Sequence, residues 1–393
     1  EFIRSLLFIC FPWELLGHTH HNELHIIQIS DIVGVYGISF LILLSNGLLF
    51  FLYQHVTSQD WQGQKTGPKQ LFAFALMVGG VLGAVWCYGA WRIHTMENRI
   101  SRAPHKKVAI VQGNIDQTKK WDPAYQISTI EKYLELSKTE PAKRPDLLVW
   151  PETAMPFYFD KHMTLTKMVM QGIQSSATDT LLGSPAYTQK AQQVQYYNRA
   201  FLVRSDGTVA DTYDKAHLVP FGEYVPLKRW LPFLGKIVEH VGDFSTGSVG
   251  DTLDWGKHKI GTLICYELIF PLLSRAAVQN GAELLINITN DAWYGKTSAP
   301  SQHFSMAVFR SVETRRALVR SANTGISGFI DPIGRIVSKT PLFEDAMIRE
   351  DIPLMSGQSP YVRFGDIFAV ACMITAMLIT VSYTHLTLPT ITE

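Results

Sequence analysis

Two kinds of hydrophobic pattern divide the chain. Residues 32–53 carry no charged side chain over 22 positions, and residues 71–91 form a second charge-free run. Apolar runs of about 20 residues match a helix that crosses a bilayer and are rare as buried helices of a soluble core. Gly79, Gly80, Gly83 and Ala84 in the second run are small enough to predict close approach of a neighbouring helix. Trp86, Tyr88 and Trp91 near its end suit a membrane–water interface. Residues 2–16 form a shorter apolar run broken by Arg4 and Glu14; with no initiator Met before it, it reads as a membrane helix entered partway. Residues 54–70, with Lys65, Lys69, Gly67 and Pro68, read as a polar loop. Residues 366–381 are a last apolar stretch, about long enough to begin a span. The tail at 382–393 is neither apolar nor basic; it reads as an atypical terminus with no function assigned to it.

Residues 1–104 are thus read as transmembrane helices with short loops, and residues 105–355 as a separate domain. There the pattern breaks into short β-rich runs alternating with helical periodicity. Strands are expected over 108–112, 147–150, 180–183, 198–204, 209–213, 259–265, 284–289, 318–322, 328–331 and 336–339. Asp206-Gly207 and Ile333-Gly334 fall between paired runs and read as hairpin turns. Helices are expected over 124–138, 163–177, 268–280 and 301–316. Strands mixed with helices over about 250 residues imply one α/β domain around a large sheet, with an alternation too irregular for a barrel.

Composition sharpens this division. Hydrophobic residues make up 47% of the 393 and charged residues 18%, with a mean hydropathy of +0.06. These averages combine an apolar part with a polar one. A net charge of +1 gives no support for a nucleic-acid partner. Arg92, Arg99, Arg102, Lys106 and Lys107 follow the second span. Charge counting alone would place that flank in the cytoplasm, but the rule fails beside a long translocated domain, so charge leaves the topology open. Of four cysteines, Cys10, Cys87 and Cys372 lie in apolar segments. Cys265 is the single thiol of the polar domain, which excludes a disulfide within it and marks a reactive candidate.

The candidate chemistry gathers around that thiol. Residues 259–267 are an apolar, β-branched strand ending in Cys265, Tyr266 and Glu267, with a helical pattern starting at once. A strand turning sharply into a helix presents the side chain at the turn, and a positive helix end there would favour the thiolate. The alternative is a buried structural cysteine. A nucleophile also needs a base and a stabiliser of the oxyanion. No histidine stands in a recognisable Cys/His pattern. Glu152 follows an apolar strand in DLLVWPE, at the kind of sheet edge where sites are built, and Lys215 lies in YDKAHLVPFGE with Glu223. Taken singly, each reads as a surface charge.

Together these pieces resemble the nitrilase superfamily of Glu–Lys–Cys amidases. Within it, WPETAMP, YDKAHLVPFGEYVP, ICYE and NDAWYG resemble the apolipoprotein N-acyltransferases, as do the membrane helices with FPW at 11–13 and the final apolar segment. The resemblance covers about residues 1–381. It implies an α/β fold, a nitrilase-like αββα sandwich flanked by transmembrane α-helices. It implies Cys265 as nucleophile on a phospholipid ester, Glu152 as general base and Lys215 as oxyanion stabiliser beside a backbone N–H. Glu223 and Glu267 would orient Lys215 and the elbow, which Tyr266 would shape. Trp121, in KWDP, and Trp293, in NDAW, match family aromatics near the substrate entrance; core packing is the alternative for both. The acyl chain would pass from a membrane phospholipid through a thioester to the α-amino group of a diacylglyceryl-cysteine lipoprotein, with the lysophospholipid leaving first.

The family's members place the helices in the bacterial inner membrane, as a multi-pass protein, and the catalytic domain on the periplasmic side. No metal and no nucleotide cofactor is implied. The family normally carries more helices before the domain, so an incomplete membrane part is expected. Two rivals remain: a membrane-tethered amidase or nitrilase hydrolysing a small C–N substrate with the same triad, and a non-catalytic membrane scaffold. The presence of all three triad residues argues against the second.

Overall fold

In the computed structural model, residues 1–7, 11–57, 67–190, 193–224 and 244–387 are described. Cys10, most of the expected polar loop and the end of the tail lie outside them. The strands, in chain order, are β1 (His105–Gln112), β2 (Leu147–Val149), β3 (Asp179–Lys190), β4 (Gln193–Val203), β5 (Val209–Asp214), β6 (Thr252–Trp255), β7 (His258–Ile264), β8 (Leu284–Thr289), β9 (Leu318–Ala322), β10 (Gly328–Ile330), β11 (Ile336–Lys339) and β12 (Ala346–Pro353). They form two six-stranded sheets, ordered β12-β1-β2-β3-β4-β5 and β11-β10-β9-β8-β7-β6, the two-sheet sandwich that the family resemblance implies rather than the one large sheet that the strand pattern alone suggests. Gly207 and Gly334, at φ of 80° and 90°, turn the two expected hairpins in the left-handed region that glycine enters without strain.

The alternation along each strand explains the stacking. Val108, Ile110, Leu147 and Val149 pack in one cluster with Ile264, Ile286, Ile288 and Val319, which fills the space between the sheets. Their neighbours Ala109, Val111 and Leu148 point the other way, against Ile130 and Tyr133 of the Gln126–Leu136 helix and Val169 and Ile173 of the Met163–Ser176 helix. Leu263, Leu285 and Leu318 face outward from the second sheet onto the Pro271–Gln279 and Ala299–Thr314 helices. The layers therefore run helix, sheet, sheet, helix, and the central strands are apolar on both faces.

β6 and β12 were not legible in the hydrophobic pattern, and both are edge strands. β12 carries the exposed Arg349 and Asp351 on one face, where an edge strand needs no apolar partner, while Ile348 and Ile352 on the other join the cluster between the sheets. In both sheets the three central strands are parallel: β1, β2 and β3 in one, β7, β8 and β9 in the other. β5 lies two antiparallel steps from β3 and so runs in the same direction. Its C-terminal end emerges at the same edge as that of β2.

Among the described residues, two helices are long and apolar enough to cross a membrane, Ser30–Thr57 and Pro68–Ile100. The first packs Val35, Ile38 and Leu41 on Phe309 and Val312 of the Ala299–Thr314 helix. Tyr88, Arg92 and Arg315 converge on the buried Asp31, at 2.7, 2.7 and 2.8 Å, joining both long helices to the domain. Gly79, Gly80 and Gly83 face open space rather than a neighbouring helix. The close approach is at Gly89, beside the backbone of His25.

A continuous helix over 2–16 is not what forms. A short helix covers Phe2–Leu6 and a 3-10 turn covers Leu16–His20. Pro12 has no N–H for a helical bond, and Trp13 Nε1 donates to Gln302 of the α/β domain at 2.9 Å. The final apolar stretch lies within a helix over Ile367–Thr387.

Candidate active site

β7 ends at Ile264, and Cys265 opens a 3-10 turn, Cys265–Ile269, with its own backbone in the left-handed region at φ 53°. A non-glycine residue held there stores roughly 1–3 kcal/mol, which the surroundings must offset. Glu267 does much of this. Its Oε2 accepts the Ile264 N–H at 2.6 Å, and its Oε1 accepts the Ala216 and His217 N–H groups at 2.6 and 3.0 Å. The Tyr213 hydroxyl donates to the same carboxylate at 3.0 Å. One buried side chain thus clamps the elbow to the loop carrying Lys215. Burial pushes the Glu267 carboxyl up to about 7, against the pull of these donors. Tyr266, also buried, sets its ring edge-on to Phe270 at 5.0 Å and beside Phe11 at 6.1 Å. Asn287 Nδ2 donates to Leu263 O at 2.9 Å, and Arg320 donates to Asn287 Oδ1, which steadies the strand end from below.

Glu152 and Lys215 reach the same edge from the other sheet, just past β2 and β5 respectively. Both are buried. Lys215 Nζ lies 2.9 Å from Glu223 Oε1 and 3.7 Å from Glu152 Oε1. Asn198 of β4 bridges the two carboxylates, its Nδ2 donating to Glu152 Oε1 at 2.7 Å and to Glu223 Oε1 at 3.0 Å. The Asn290 N–H donates to Glu152 Oε2 at 2.9 Å. Burial alone would lower the pKa of Lys215, but the charges of Glu223, Glu152 and Cys265 outweigh it and raise the pKa, so the amine is held as a cation. Glu223 is held below the usual carboxylate range: Lys215, Asn198 and the Val219 N–H together overcome the opposing effect of burial.

Cys265 keeps some accessible surface, yet its thiol is pushed up to about 12 by burial and then by the charge of Glu152, with Lys215 opposing. The resting site therefore holds a thiol. The helix-end effect expected from the sequence is weak because a turn of this length has few aligned peptide dipoles. A base must take the proton, and Glu152 is the carboxylate whose charge acts most strongly on that sulfur.

Glu152, Lys215, Glu223, Cys265, Tyr266 and Glu267 thus gather at one sheet edge. Trp121 and Trp293 do not enter the core: 52% and 73% of their surface is exposed, which removes core packing as an account of either. Each sits beside a contact to Glu152. Lys120, next to Trp121, donates from Nζ to Glu152 O at 3.2 Å, and Asn290 precedes Trp293 closely. Lys120, Asn198 and Asn290 were not singled out in the sequence. Asn198 had a detectable signal, a polar residue on the buried face of a strand; the other two had only their motif neighbours.

Buried carboxylate, buried cation and strained thiol suit acyl transfer through a thioester. The carbon-nitrogen hydrolase family model matches residues 107–359, and that of the apolipoprotein N-acyltransferase N-terminal domain matches residues 1–48. The chain is similar to an apolipoprotein N-acyltransferase of Geobacter metallireducens, 46% identical over 96% of this chain and 71% of that protein. It is also similar to one of Bdellovibrio bacteriovorus, 33% identical over 86% of this chain and 62% of that protein. A solved amidase of the nitrilase superfamily from Nesterenkonia aligns at a TM-score of 0.49 and 19% identity, covering 67% of this chain and 94% of that one.

Proposed function

The chain belongs to the apolipoprotein N-acyltransferase family, within the carbon-nitrogen hydrolases, and on that premise we propose how its site moves an acyl group from a membrane phospholipid to a lipoprotein amine. Glu152 takes the proton of the Cys265 thiol, and the sulfur attacks an ester carbonyl of the phospholipid. Lys215, with a backbone N–H at the elbow, faces the oxyanion of the tetrahedral intermediate, where a fixed cation stabilises the charge as it develops. Collapse breaks the ester C–O bond. The lysophospholipid leaves with the proton held by Glu152, and a thioester remains on Cys265. The α-amino group of a diacylglyceryl-cysteine lipoprotein then attacks the thioester. Glu152 takes a proton from the amine, the C–S bond breaks, and Cys265 recovers its proton as the amide departs.

Glu223 and Asn198 hold Lys215 and Glu152 in register, Glu267 fixes the elbow, and Tyr266 shapes it. Trp121 and Trp293, exposed beside the contacts to Glu152, flank the entrance used by the substrates. Both substrates carry acyl chains, each CH₂ of which costs about 0.8 kcal/mol to withdraw from lipid, so a catalytic domain docked on membrane helices suits them. The family is one of membrane proteins, and the two long apolar helices fit that. Placement as a multi-pass protein of the bacterial inner membrane, with the catalytic domain on the periplasmic side, is part of the proposal.

The observation that carries the reading is the convergence of Glu152 and Lys215 with a thiol strained into the left-handed region. The N-terminal domain match favours acyl transfer over hydrolysis of a small C–N substrate by the same residues. Incubating detergent-solubilised protein with phospholipid and no acceptor, followed by peptide mass spectrometry, tests it. An acyl adduct on the Cys265 peptide is expected, discharged by a diacylglyceryl lipopeptide and absent in Cys265→Ala. A folded protein that stays unmodified while releasing ammonia from small amides would overturn it.

A further inference from the structure

A second lysine lies at this site without a carboxylate partner of its own. Lys120 is 2% exposed, although lysine ordinarily keeps its ammonium in water. The hydrogen bond of its Nζ goes to a neutral acceptor, the backbone carbonyl of Glu152, at 3.2 Å. Lys215, by contrast, has Glu223 at 2.9 Å. The segment carrying Lys120 is pinned to the site: Asn290 Nδ2 donates to Gln117 Oε1 at 2.8 Å, the Ile115 N–H donates to Asn323 Oδ1 at 2.9 Å, and the Lys120 N–H donates to Asp116 O at 3.0 Å. The titratable groups whose charge reaches Lys120 are Glu152 and Cys265.

Charge balance shows what this placement does. When the Cys265 proton moves to Glu152, the negative charge moves with the vacated site, from carboxylate to sulfur. Glu223 and Lys215 neutralise one another, so the thiolate is left as a net negative charge in a buried site. A cation fixed beside Glu152 restores neutrality. We infer that Lys120 is a second cation of the site, held on the Glu152 backbone, whose charge supports the Cys265 thiolate as the acyl-enzyme forms. This rests on Cys265 being the nucleophile. Burial brings Lys120 down to about 8, with Glu152 and Cys265 opposing, so the amine carries its charge at neutral pH and loses it in mildly alkaline solution.

The test is the rate at which iodoacetamide alkylates Cys265 in the whole 393-residue chain in detergent, the thiolate displacing iodide. It is followed by mass spectrometry of the Cys265 peptide across pH, alongside acyl-enzyme formation from phospholipid. Lys120→Met should slow alkylation at pH 7 by about tenfold or more, the equivalent of about one pKa unit at the thiol. Lys120→Arg, which keeps its charge at every pH used, should hold the rate near wild type and remove the inflection expected of wild type near pH 8. The arginine variant keeps the test decisive where the methionine variant does not fold. A folded Lys120→Met protein alkylated like wild type at each pH, or an arginine variant that retains the inflection, overturns the role of Lys120. Wild-type protein that alkylates at Cys265 yet forms no acyl-enzyme would overturn the acyltransfer reading instead.

Discussion

At Glu267 a single carboxylate accepts N–H groups from the elbow and from the Lys215 loop. Its native carboxyl, raised by burial to about 7, lies above the ordinary value of 4.5 that the unfolded chain has. The native state therefore binds the extra proton, and this contribution to stability is complete below pH 4.5 and lost as pH rises through about 7. Glu267→Gln should abolish that slope. Subtracting melting temperatures of the variant from those of wild type between pH 5 and 8 reads it, and parallel curves would contradict it. Glu313, also buried and raised to about 7, is present in both proteins and cancels in the difference. Glu267→Ala should cost more, about 1–3 kcal/mol for each buried donor left without an acceptor. The sequence made Glu267 visible because a carboxylate directly after an apolar strand is costly without a partner. It could not show that the partners sit on a loop from the other sheet.

The elements bring the site together through register. Gly183 of β3 lies directly beneath the turn that carries Glu152: a Cβ there would meet Thr153 N at 2.6 Å and Glu152 Cα at 2.8 Å. Gly183→Ala must therefore displace the turn that carries Glu152. A displacement of about 1 Å at a reacting group costs on the order of 100-fold, so acyl-enzyme formation should slow by about tenfold or more while circular dichroism stays native. An unchanged rate would mean that the turn yields without moving the carboxylate. Most strands were legible because alternating or wholly apolar runs leave few other readings. β6 and β12 were not, because an edge strand can expose one face and carry charges such as Arg349 and Asp351. The helix expected over 2–16 stops at Leu6, where Leu7 turns extended, and Trp13 instead reaches Gln302. That contact spans the chain and leaves no trace in local pattern.

For the whole molecule, docking of the apolar helices on the catalytic domain depends on the buried Asp31. It faces Arg92 of the Pro68–Ile100 helix and Arg315 of the domain at 2.7 and 2.8 Å. Removing one partner of a buried ion pair costs about 3–5 kcal/mol, because the remaining charge stays buried. Asp31→Ala should therefore lower the melting temperature in detergent by several degrees, and an additional Arg315→Met substitution should recover part of the loss. Additive effects of the two changes would argue that they do not share one network.

What the sequence determined by itself is what local periodicity can encode: two long apolar helices, most of the strands, both hairpin turns, and the motifs carrying Glu152, Lys215 and Cys265. Each depends on residues near one another in the chain, where side-chain period and turn chemistry leave few alternatives. Tertiary structure alone decided the rest. It divided the strands into two sheets, which local periodicity left as one and only the family resemblance implied; it placed Asn198, Asn290 and Lys120 around Glu152, left Trp121 and Trp293 exposed, and kept the resting thiol protonated. These depend on burial and on charges from distant segments, and the electrostatic effect of a neighbour exists only once folding has excluded water and set the distance.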